Sequence, residues 1–412
     1  MVSPTNQPRP LQTRHLQPLS QDPIIPLCVP CLSGRETRYV VEALESNWVS
    51  YVGPHVQKFE QLLAEASGAP FAVAMNSGTS ALHIALILSG VGVGHEVVMP
   101  AVSFVAPANA IRYCGAWPAF VDIRKDDWQL CADQTREFLR HGCKSTPEGL
   151  INKVTGRSVK AIMLVHLLGG MGDVDAFAKI AEEFGLFLIE DAAECLGATY
   201  KNRTIAASTP EMDTSRRFVA TSFNGNKIVT TGGGGALFSH DEKLAVRAKH
   251  LSTTAKSDPI EFYHDAIGYN YRLTNLSAAL GVGQLEMLDE YVASKRAIAN
   301  RYREALGDSP QIPQIHPEPA DCRSTFWMFT VRLDRPARPL VDALTKSGVV
   351  SRPLWHPLHE LPAMSDSAKW GPLADSLELC CSAISLPCSS SLSELEQRIV
   401  IKNLTELIGS NV

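Results

Sequence analysis

The first half of the chain alternates short apolar runs with stretches in which apolar residues recur every three or four positions. Short apolar runs are typical of buried strands, and the longer repeat is typical of amphipathic helices. The predicted strands are residues 71–75, 96–100, 119–121, 160–165 and 186–190, and the predicted helices are residues 35–46, 80–88, 106–113 and 176–184. Strands separated by such helices indicate βαβ units. The pattern therefore predicts an α/β domain built on a mainly parallel sheet.

The second half of the chain has a different pattern. Apolar residues keep helical spacing over residues 275–306, which predicts one long helix that bridges two domains. Beyond it, a predicted strand (325–333) and two predicted helices (340–346 and 392–407) indicate a smaller α+β layer. Residues 136–160 are polar and contain turn residues, which predicts a surface excursion. We therefore divide the chain into a tail (1–24), a large α/β domain (25–275), a bridging helix (276–306) and a small C-terminal α+β domain (307–412).

Composition and charge narrow the class of protein. Of 412 residues, 45% are hydrophobic and 20% are charged, with a formal net charge of -5. Because nucleic-acid binding requires a basic surface, we expect no nucleic-acid partner. No apolar run reaches the roughly 18 residues that a membrane span needs. The Pro- and Gln-rich start is expected to be a disordered tail without a secretory signal, and the dispersed cysteines fit reducing conditions, so we expect a cytoplasmic protein.

Cys28 and Cys31 form one C-x-x-C pair. A zinc site would need a second pair of ligands, and a redox motif of this kind would need a helix N-terminus at that point. Pro26 and Pro30 instead favour extended chain. We therefore expect neither a metal site nor a redox role for this pair.

Two polar segments follow predicted strands. Residues 76–82 read Asn-Ser-Gly-Thr-Ser-Ala-Leu at the start of a predicted helix, where backbone N–H groups and the helix dipole favour an anion such as phosphate. Asp191 follows a buried-type strand, and a carboxylate there faces the crevice in which ligands of parallel sheets bind. Simple capping of a helix or loop remains the alternative for both segments.

Lys227 lies in a polar turn, shortly before the glycine run 232–235. A lysine among short polar residues and glycines differs from one on a solvated helix face, and it could form a Schiff base. A phosphate cradle, a strand-end carboxylate and a lysine, in this order, meet the requirements of pyridoxal phosphate.

These segments resemble the DegT/DnrJ/EryC1/StrS family of sugar aminotransferases, a branch of the fold-type I pyridoxal-phosphate enzymes, from about Ile25 to the C-terminus. Segments 47–53, 152–157, 222–235 and 268–275 look like the branch that aminates UDP-linked 4-keto-6-deoxy-N-acetyl sugars in glycan biosynthesis. The resemblance implies the fold-type I architecture, with a large, mainly parallel sheet domain and a smaller C-terminal α+β domain.

The resemblance also implies roles for individual residues. Lys227 would form the Schiff base and later move a proton, and Asp191 would keep the pyridine nitrogen of the cofactor protonated. The remaining implied contacts are Gly78, Thr79, Ser80 and Ser222 with the phosphate, Phe104 with the ring, Glu194 with the ring oxygen, His166 as a further active-site residue, Asn270 with the phosphate of the neighbouring subunit, and Arg272, Trp355, His356 and His359 with the substrate. Phe104 as a plain core residue, His166 as a structural histidine and the Asn270 loop as a helix cap remain alternatives.

The implied activity is transfer of an amino group from glutamate, which becomes 2-oxoglutarate, to a nucleotide-linked 4-keto-6-deoxy sugar, most similar to UDP-4-keto-6-deoxy-N-acetylglucosamine, in a homodimer with shared active sites. A sugar 3-dehydratase has the same scaffold with His in place of the lysine, so Lys227 argues against it. A cyclitol or other keto-sugar aminotransferase remains an alternative. So does a regulatory protein that binds pyridoxal phosphate.

Overall fold

A computed structural model describes residues 24–147, 149–258 and 260–410 of the chain. The expected disordered tail, apart from residue 24, lies outside the described residues. The α-helices are α1 (Arg35–Glu45), α2 (Pro54–Ser67), α3 (Gly78–Leu88), α4 (Ala106–Tyr113), α5 (Ala132–Glu137), α6 (Val174–Phe184), α7 (Glu242–Ser252), α8 (Asn275–Leu285), α9 (Leu288–Leu306), α10 (Arg338–Lys346), α11 (Ala374–Ser382) and α12 (Glu394–Gly409). None of these helices is both long enough and apolar enough to cross a bilayer.

The strands form one large sheet and three smaller ones. They are β1 (Phe71–Met75), β2 (His95–Pro100), β3 (Trp117–Val121), β4 (Cys143–Thr146), β5 (Gly149–Asn152), β6 (Ser158–Val165), β7 (Phe187–Asp191), β8 (Thr199–Tyr200), β9 (Arg203–Thr204), β10 (Arg217–Ser222), β11 (Gly235–Ser239), β12 (Lys256–Asp258), β13 (Tyr263–His264), β14 (Gln314–Ile315), β15 (Cys322–Arg323), β16 (Phe329–Arg332), β17 (Arg352–Pro353), β18 (Ala368–Lys369) and β19 (Ala383–Leu386). The large sheet runs in the order β1-β11-β10-β7-β6-β2-β3-β18.

The large sheet is mainly parallel, as the sequence predicts. Every neighbouring pair from β10 to β18 along this order is parallel, and β11 alone runs antiparallel between β1 and β10. The carboxyl ends of β1, β10, β7, β6 and β2 therefore meet at one edge of the sheet. This edge is where a parallel sheet places its ligands.

Local signals set the ends of the helices that begin at this edge. Ser77 caps α3, since its side chain accepts a hydrogen bond from the backbone N–H of Ser80. Asp173 caps α6 in the same way, and that helix ends at Gly185 in the left-handed conformation with φ 64°. Residues 71–75 and 106–113 form the predicted elements without a shift of boundary.

The predicted bridging helix is wrong in one respect, because residues 275–306 form two helices with a break at Glu286 and Met287. The two helices pack on different partners. Gly281 in α8 leaves no room for a Cβ beside Phe59 of α2, whereas Tyr302 in α9 donates a hydrogen bond to the Pro387 carbonyl near the C-terminus. Each helix packs against a different neighbour. The apolar spacing therefore continues through residues 275–306, but the two helices do not share one axis.

The C-terminal part is also less separate than the sequence suggests. Strands β14, β16, β19 and β17 form a small antiparallel sheet, but β18 extends the large sheet beside β3 and β15 pairs with β8. The predicted strand 325–333 shortens to β16, because Phe326 has a φ of 50° and interrupts the extended backbone. The polar excursion 136–160 contains a hairpin, β4–β5, that attaches to β6.

Candidate active site

A cavity of about 750 Å³ opens at the carboxyl edge of the large sheet. The loops after β1, β2, β6, β7 and β10 supply one wall, and the small sheet supplies the other. The predicted site residues that line this cavity are Gly78, Thr79, Phe104, His166, Asp191, Glu194, Ser222, Lys227 and Trp355. Residues that lie far apart in sequence therefore share one cavity, because their strands are neighbours in the sheet.

The N-terminus of α3 forms the predicted anion site. Within the described residues, the backbone N–H groups of Gly78 and Thr79 have no acceptor. A Cβ on Gly235 would lie 2.4 Å from the Gly78 nitrogen, so β11 approaches the helix end in a way that only glycine permits. The side chain of Ser222 packs against Gly78 from the next strand. The result is a cradle of N–H groups and hydroxyls that suits a phosphate.

The structure places Ser80, a predicted phosphate ligand, behind the cradle and not on the cavity surface. Its hydroxyl lies 2.7 Å from Asn76 Oδ1 and 2.8 Å from the Ser77 hydroxyl, and the residue is buried outside the cavity lining. Ser80 therefore organises the cradle from behind within this chain, while Thr79 faces the cavity.

Lys227 lies between an acidic group and an aromatic ring. Its Nζ is 3.4 Å from Glu194 Oε1 and 3.8 Å from the centre of the Trp327 ring. Burial raises the pKa of Glu194, and the nearby Lys227 ammonium opposes that shift only in part. The Glu194 carboxyl is thus placed to exchange a proton with the Lys227 amine.

Asp191 is buried at the end of β7 and faces the same cavity. One carboxylate oxygen accepts a hydrogen bond from the Ala193 N–H at 3.0 Å, and no described protein donor reaches the other. Burial raises the pKa of Asp191, because the hydrogen bond from Ala193 and the nearby charges compensate its charge only in part. A cationic ring N–H in the cavity would complete its bonding.

A buried ion pair lies directly behind these residues. Glu190 is fully buried, with Arg217 Nε 2.5 Å from one oxygen and His166 Nε2 3.0 Å from the other. Burial raises the pKa of Glu190, but Arg217 and His166 outweigh it and hold the value at about 2. The second ring nitrogen of His166 accepts from the Gly172 N–H at 3.1 Å. Both nitrogens of His166 are therefore occupied, which favours a positioning role over direct proton transfer.

Trp327 and Arg352 line the cavity and carry groups suited to a function, but the sequence did not single them out. Trp327 covers Lys227 and donates from its Nε1 to the Asn226 carbonyl at 2.7 Å, which fixes the turn that carries the lysine. Arg352 reaches the cavity from β17, and no carboxylate of the described residues pairs with it. Arg352 lies three residues before Trp355, which the resemblance assigns to the substrate, and no local pattern in the sequence pointed to Trp327.

The other predicted substrate residues lie elsewhere. Arg272 is buried, with its guanidinium 2.8 Å from both Glu60 Oε1 and the Ala74 carbonyl, so its charge is already neutralised. His356 faces solvent, 3.3 Å from Glu360. His359 packs beside the Phe120 ring. The structure places none of these three predicted ligands in the cavity of their own chain.

Phe104 and Asn270 are both exposed. Phe104 is 55% exposed at the cavity mouth, which argues against the alternative of a plain core residue. Asn270 lies outside the cavity lining, and its carbonyl accepts a hydrogen bond from the Asn76 side chain at 3.2 Å. Thr274 supplies the side-chain cap of α8, as the alternative of a loop that caps the helix expects.

The donor set of the cavity fits pyridoxal phosphate. The helix N-terminus suits the phosphate, the free oxygen of Asp191 suits the protonated ring nitrogen, and Lys227 suits the aldehyde. No cluster of His, Cys, Asp and Glu in the described ranges has the arrangement of a metal site.

Comparisons of the sequence with known proteins agree on one family. Residues 30–405 match the model of the DegT/DnrJ/EryC1/StrS aminotransferase family. The chain is 38% identical to EpsN of Bacillus subtilis (strain 168), provisionally named a pyridoxal phosphate-dependent aminotransferase, over 92% of this chain and 95% of that protein. It is 34% identical to the GDP-perosamine synthase of Escherichia coli O157:H7, over 93% of this chain and 98% of that enzyme.

Solved structures agree with this result. The aminotransferase TlmJ from Streptoalloteichus hindustanus superimposes with a TM-score of 0.83 at 29% identity, covering 94% of this chain and 100% of that one. DesV from S. venezuelae gives a TM-score of 0.83 at 27% identity, covering 94% and 99%. The chain therefore belongs to the DegT/DnrJ/EryC1/StrS aminotransferase family and is a pyridoxal-phosphate-dependent sugar aminotransferase.

Proposed function

We propose that this enzyme transfers an amino group from glutamate to the keto carbon of a nucleoside-diphosphate-linked 4-keto-6-deoxy sugar, giving a 4-amino sugar. The observation that carries the proposal is the joint placement of Lys227, Asp191 and the α3 cradle on one wall of a cavity that has Arg352 on its opposite wall. The first wall meets the needs of the cofactor, and the second presents a free cation to a diphosphate.

Each residue on the cofactor wall has a separate task. Bound pyridoxal phosphate supplies an aldehyde that accepts and returns the amino group and a ring that accepts electron density. Lys227 uses its amine to hold the aldehyde and then to carry a proton to or from the reacting carbon. Asp191 keeps the ring nitrogen protonated, and Glu194 takes up the proton that the Lys227 ammonium must lose.

The small sheet supplies the substrate wall. The Arg352 guanidinium presents several N–H donors in one plane, which suits the paired oxygens of a diphosphate. Trp355 lines the cavity three residues further on and offers an aromatic face. A nucleotide sugar therefore fits this wall better than a free cyclitol, which has no phosphate for Arg352 to bind.

The identities of the nucleotide and of the sugar are the more specific part of the proposal. The motif resemblance favours a UDP-linked N-acetyl sugar, whereas the name of the Escherichia coli relative points to a GDP-linked one. Either would place its diphosphate at Arg352, so the two differ at the base and at C2 of the sugar.

We also propose that the active enzyme is a homodimer with shared sites. The loop that contains Asn270 immediately precedes α8, and Asn275 at the start of α8 donates to the Trp48 carbonyl. Around this loop the chain exposes large apolar side chains: Trp48, Val49, Tyr51, Val52, Phe262, Tyr263 and Ile267. A surface of this kind is typical of a subunit interface.

The test is a substrate panel with enzyme loaded with pyridoxal phosphate and glutamate as donor. We expect NMR to show a 4-amino product from a UDP- or GDP-linked 4-keto-6-deoxy sugar. Turnover of an inosose alone would establish the cyclitol alternative. Binding of cofactor without turnover of any acceptor would favour the regulatory one.

Substitution of Arg352 gives a more specific test with the same substrates. Arg352→Ala removes a charge-assisted contact worth about 1.5–3 kcal/mol, so KM for the nucleotide sugar should rise about 10- to 100-fold. The control is Arg338→Ala, since Arg338 is exposed and pairs with Asp342 on the surface. Equal KM values for Arg352→Ala and the control would contradict the placement of the diphosphate.

A further inference from the structure

A buried lysine without a carboxylate partner lies behind the Lys227 turn. Lys295 of α9 is 2% exposed, and its Nζ donates to the Trp327 carbonyl at 2.9 Å and to the Cys388 carbonyl at 2.7 Å. Its third contact is Cys28 Sγ at 3.8 Å. No carboxylate of the described residues lies within 4.0 Å of this ammonium. Because a buried charge needs an opposite one, a Cys28 thiolate is the natural counter-ion.

A second cysteine lies beside the first. The Cys388 N–H donates to the Leu27 carbonyl at 2.8 Å, and the Val29 N–H donates to the Ser389 hydroxyl at 3.0 Å, so residues 27–29 run alongside residues 388–389. Cys388 Sγ also contacts the Trp327 carbonyl that binds Lys295, at 3.4 Å. Cys28 Sγ therefore contacts Lys295, and Cys388 Sγ contacts the carbonyl to which Lys295 donates.

The pKa values of the two thiols are shifted in opposite directions. The neighbouring Cys388 thiol, opposed by burial and assisted by Lys295 and Lys227, lowers the pKa of Cys28 to about 6. The pKa of Cys388 is raised well above its ordinary value by the neighbouring Cys28 and by burial. Cys28 is also partly exposed, whereas Cys388 is buried. One thiol is thus an accessible nucleophile and the other a protected partner.

We propose that Cys28 is a reactive thiolate held by Lys295, and that a hydroperoxide oxidises it to a disulfide with Cys388. The Cys28 sulfur attacks the terminal oxygen of the hydroperoxide, which forms a sulfenic acid and releases hydroxide or alkoxide. The Cys388 sulfur then displaces the sulfenic oxygen as water. Two thiols lose two electrons, and the peroxide bond gains them. The partner of Cys28 is therefore Cys388, and not Cys31 of the C-x-x-C pair.

Oxidation of Cys28 would affect the turn that carries Lys227. Cys28 Sγ lies 3.3 Å from the Asn226 carbonyl oxygen, and Asn226 directly precedes Lys227. Oxidation replaces the anionic sulfur beside that carbonyl with a neutral disulfide sulfur, while Trp327 Nε1 donates to the same carbonyl. The oxidation state of Cys28 is thus coupled to the position of the turn, whatever sugar the enzyme uses.

The first test is the pH profile of alkylation, followed residue by residue with iodoacetamide and peptide mass spectrometry on cofactor-loaded protein. We expect the Cys28 rate to reach half its maximum near pH 6. Cys31 is the internal control, because burial and Glu36 raise its pKa, so its rate should still be rising above pH 9. A Cys28 rate that follows the Cys31 profile, or no Cys28 labelling at any pH, would overturn the proposal.

The second test identifies the partner. After treatment with hydrogen peroxide and digestion without reductant, a cross-linked peptide joining Cys28 to Cys388 should appear. It should vanish in Cys28→Ser and Cys388→Ser and persist in Cys31→Ser. Lys295→Met should move the Cys28 midpoint upward, with exposed Lys249→Met as its control, and if Lys295→Met does not fold, the wild-type pH profile decides. A Cys28–Cys31 link, or no cross-link, would refute the assigned pair.

Discussion

Replacing Arg217 with methionine should destabilise the fold through Glu190. Glu190 is fully buried under the cavity and has only two charged or polar side-chain partners among the described residues, Arg217 at 2.5 Å and His166 at 3.0 Å. Methionine keeps most of the volume of arginine but removes its charge. The variant therefore leaves a buried carboxylate with a histidine alone.

The size of the effect follows from the acidity of Glu190. Arg217 and His166 overcome burial and hold its pKa at about 2, against an ordinary 4.5. That difference corresponds to about 3 kcal/mol of stabilisation of the charged form, and breaking a buried ion pair on one side costs about 3–5 kcal/mol. With an unfolding entropy of about 2.1 cal/mol/K per residue, a loss of about 3 kcal/mol in a chain of 412 residues lowers Tm by about 3–4 °C.

The assay is thermal unfolding followed by circular dichroism at pH 7. Arg216→Met is the matched control, because Arg216 pairs with Glu182 at 2.8 Å on the surface, where such a pair contributes about 0–1 kcal/mol. The double variant Arg217→Met/Glu190→Gln should recover much of the loss, since it removes the unpaired charge. A Tm of Arg217→Met equal to that of the Arg216 control would refute the reasoning.

The effect should also depend on pH. A carboxyl whose pKa is lowered by folding contributes stability above its ordinary pKa and loses it as the pH falls through the folded value. In wild type, the Glu190 contribution is therefore full above about pH 5 and is lost as the pH falls from about 4.5 through about 2. In Arg217→Met, burial favours protonated Glu190 at milder acidity. The difference in Tm between wild type and Arg217→Met, the Tm gap, should therefore narrow from pH 7 to pH 4. A gap that widens would contradict this account.

Three further predictions concern the cofactor and the assembly. Borohydride treatment of the loaded protein should fix the cofactor mass to the peptide containing Lys227, and a label on another lysine would disprove that role. Gly235→Ala should weaken pyridoxal-phosphate binding at least tenfold by equilibrium dialysis, because its Cβ would meet the α3 backbone, whereas Gly225→Ala, with open space around it, should bind normally. Lys227→Ala and Asn270→Ala subunits, each nearly inactive, should form a heterodimer with up to half of wild-type activity. No recovery after demonstrated exchange would mean that each chain builds its own site.

The alternation of apolar runs and amphipathic stretches determined most of the large domain. Strand β1 and helix α4 lie where the pattern predicts them, because a buried strand and a helix against a sheet each leave a local periodicity. The helix α2 and the strands β10 and β11 were not predicted. Strand β10 lies between β7 and β11, so pairing with distant segments defines it more than its own pattern does.

The active site shows the same difference between what the sequence predicts and what only the tertiary structure determines. Short polar segments at strand ends were enough to select Lys227, Asp191 and the α3 cradle, because their chemistry is concentrated in a few consecutive residues. Tertiary structure alone decided that Trp327 covers Lys227 and that both nitrogens of His166 are occupied. These contacts join residues far apart in sequence, and no local repeat records them.

The sequence by itself thus determined the kind of sheet and the groups available at its edge. The tertiary structure decided which of those groups meet, which charges are neutralised and where the predicted long helix breaks. Arg272 shows the physical reason, since a guanidinium binds whichever acceptor the fold brings near, and here that acceptor is Glu60 and not a substrate. Periodicity records how each segment faces the core, whereas pairing of distant side chains depends on how the segments pack together.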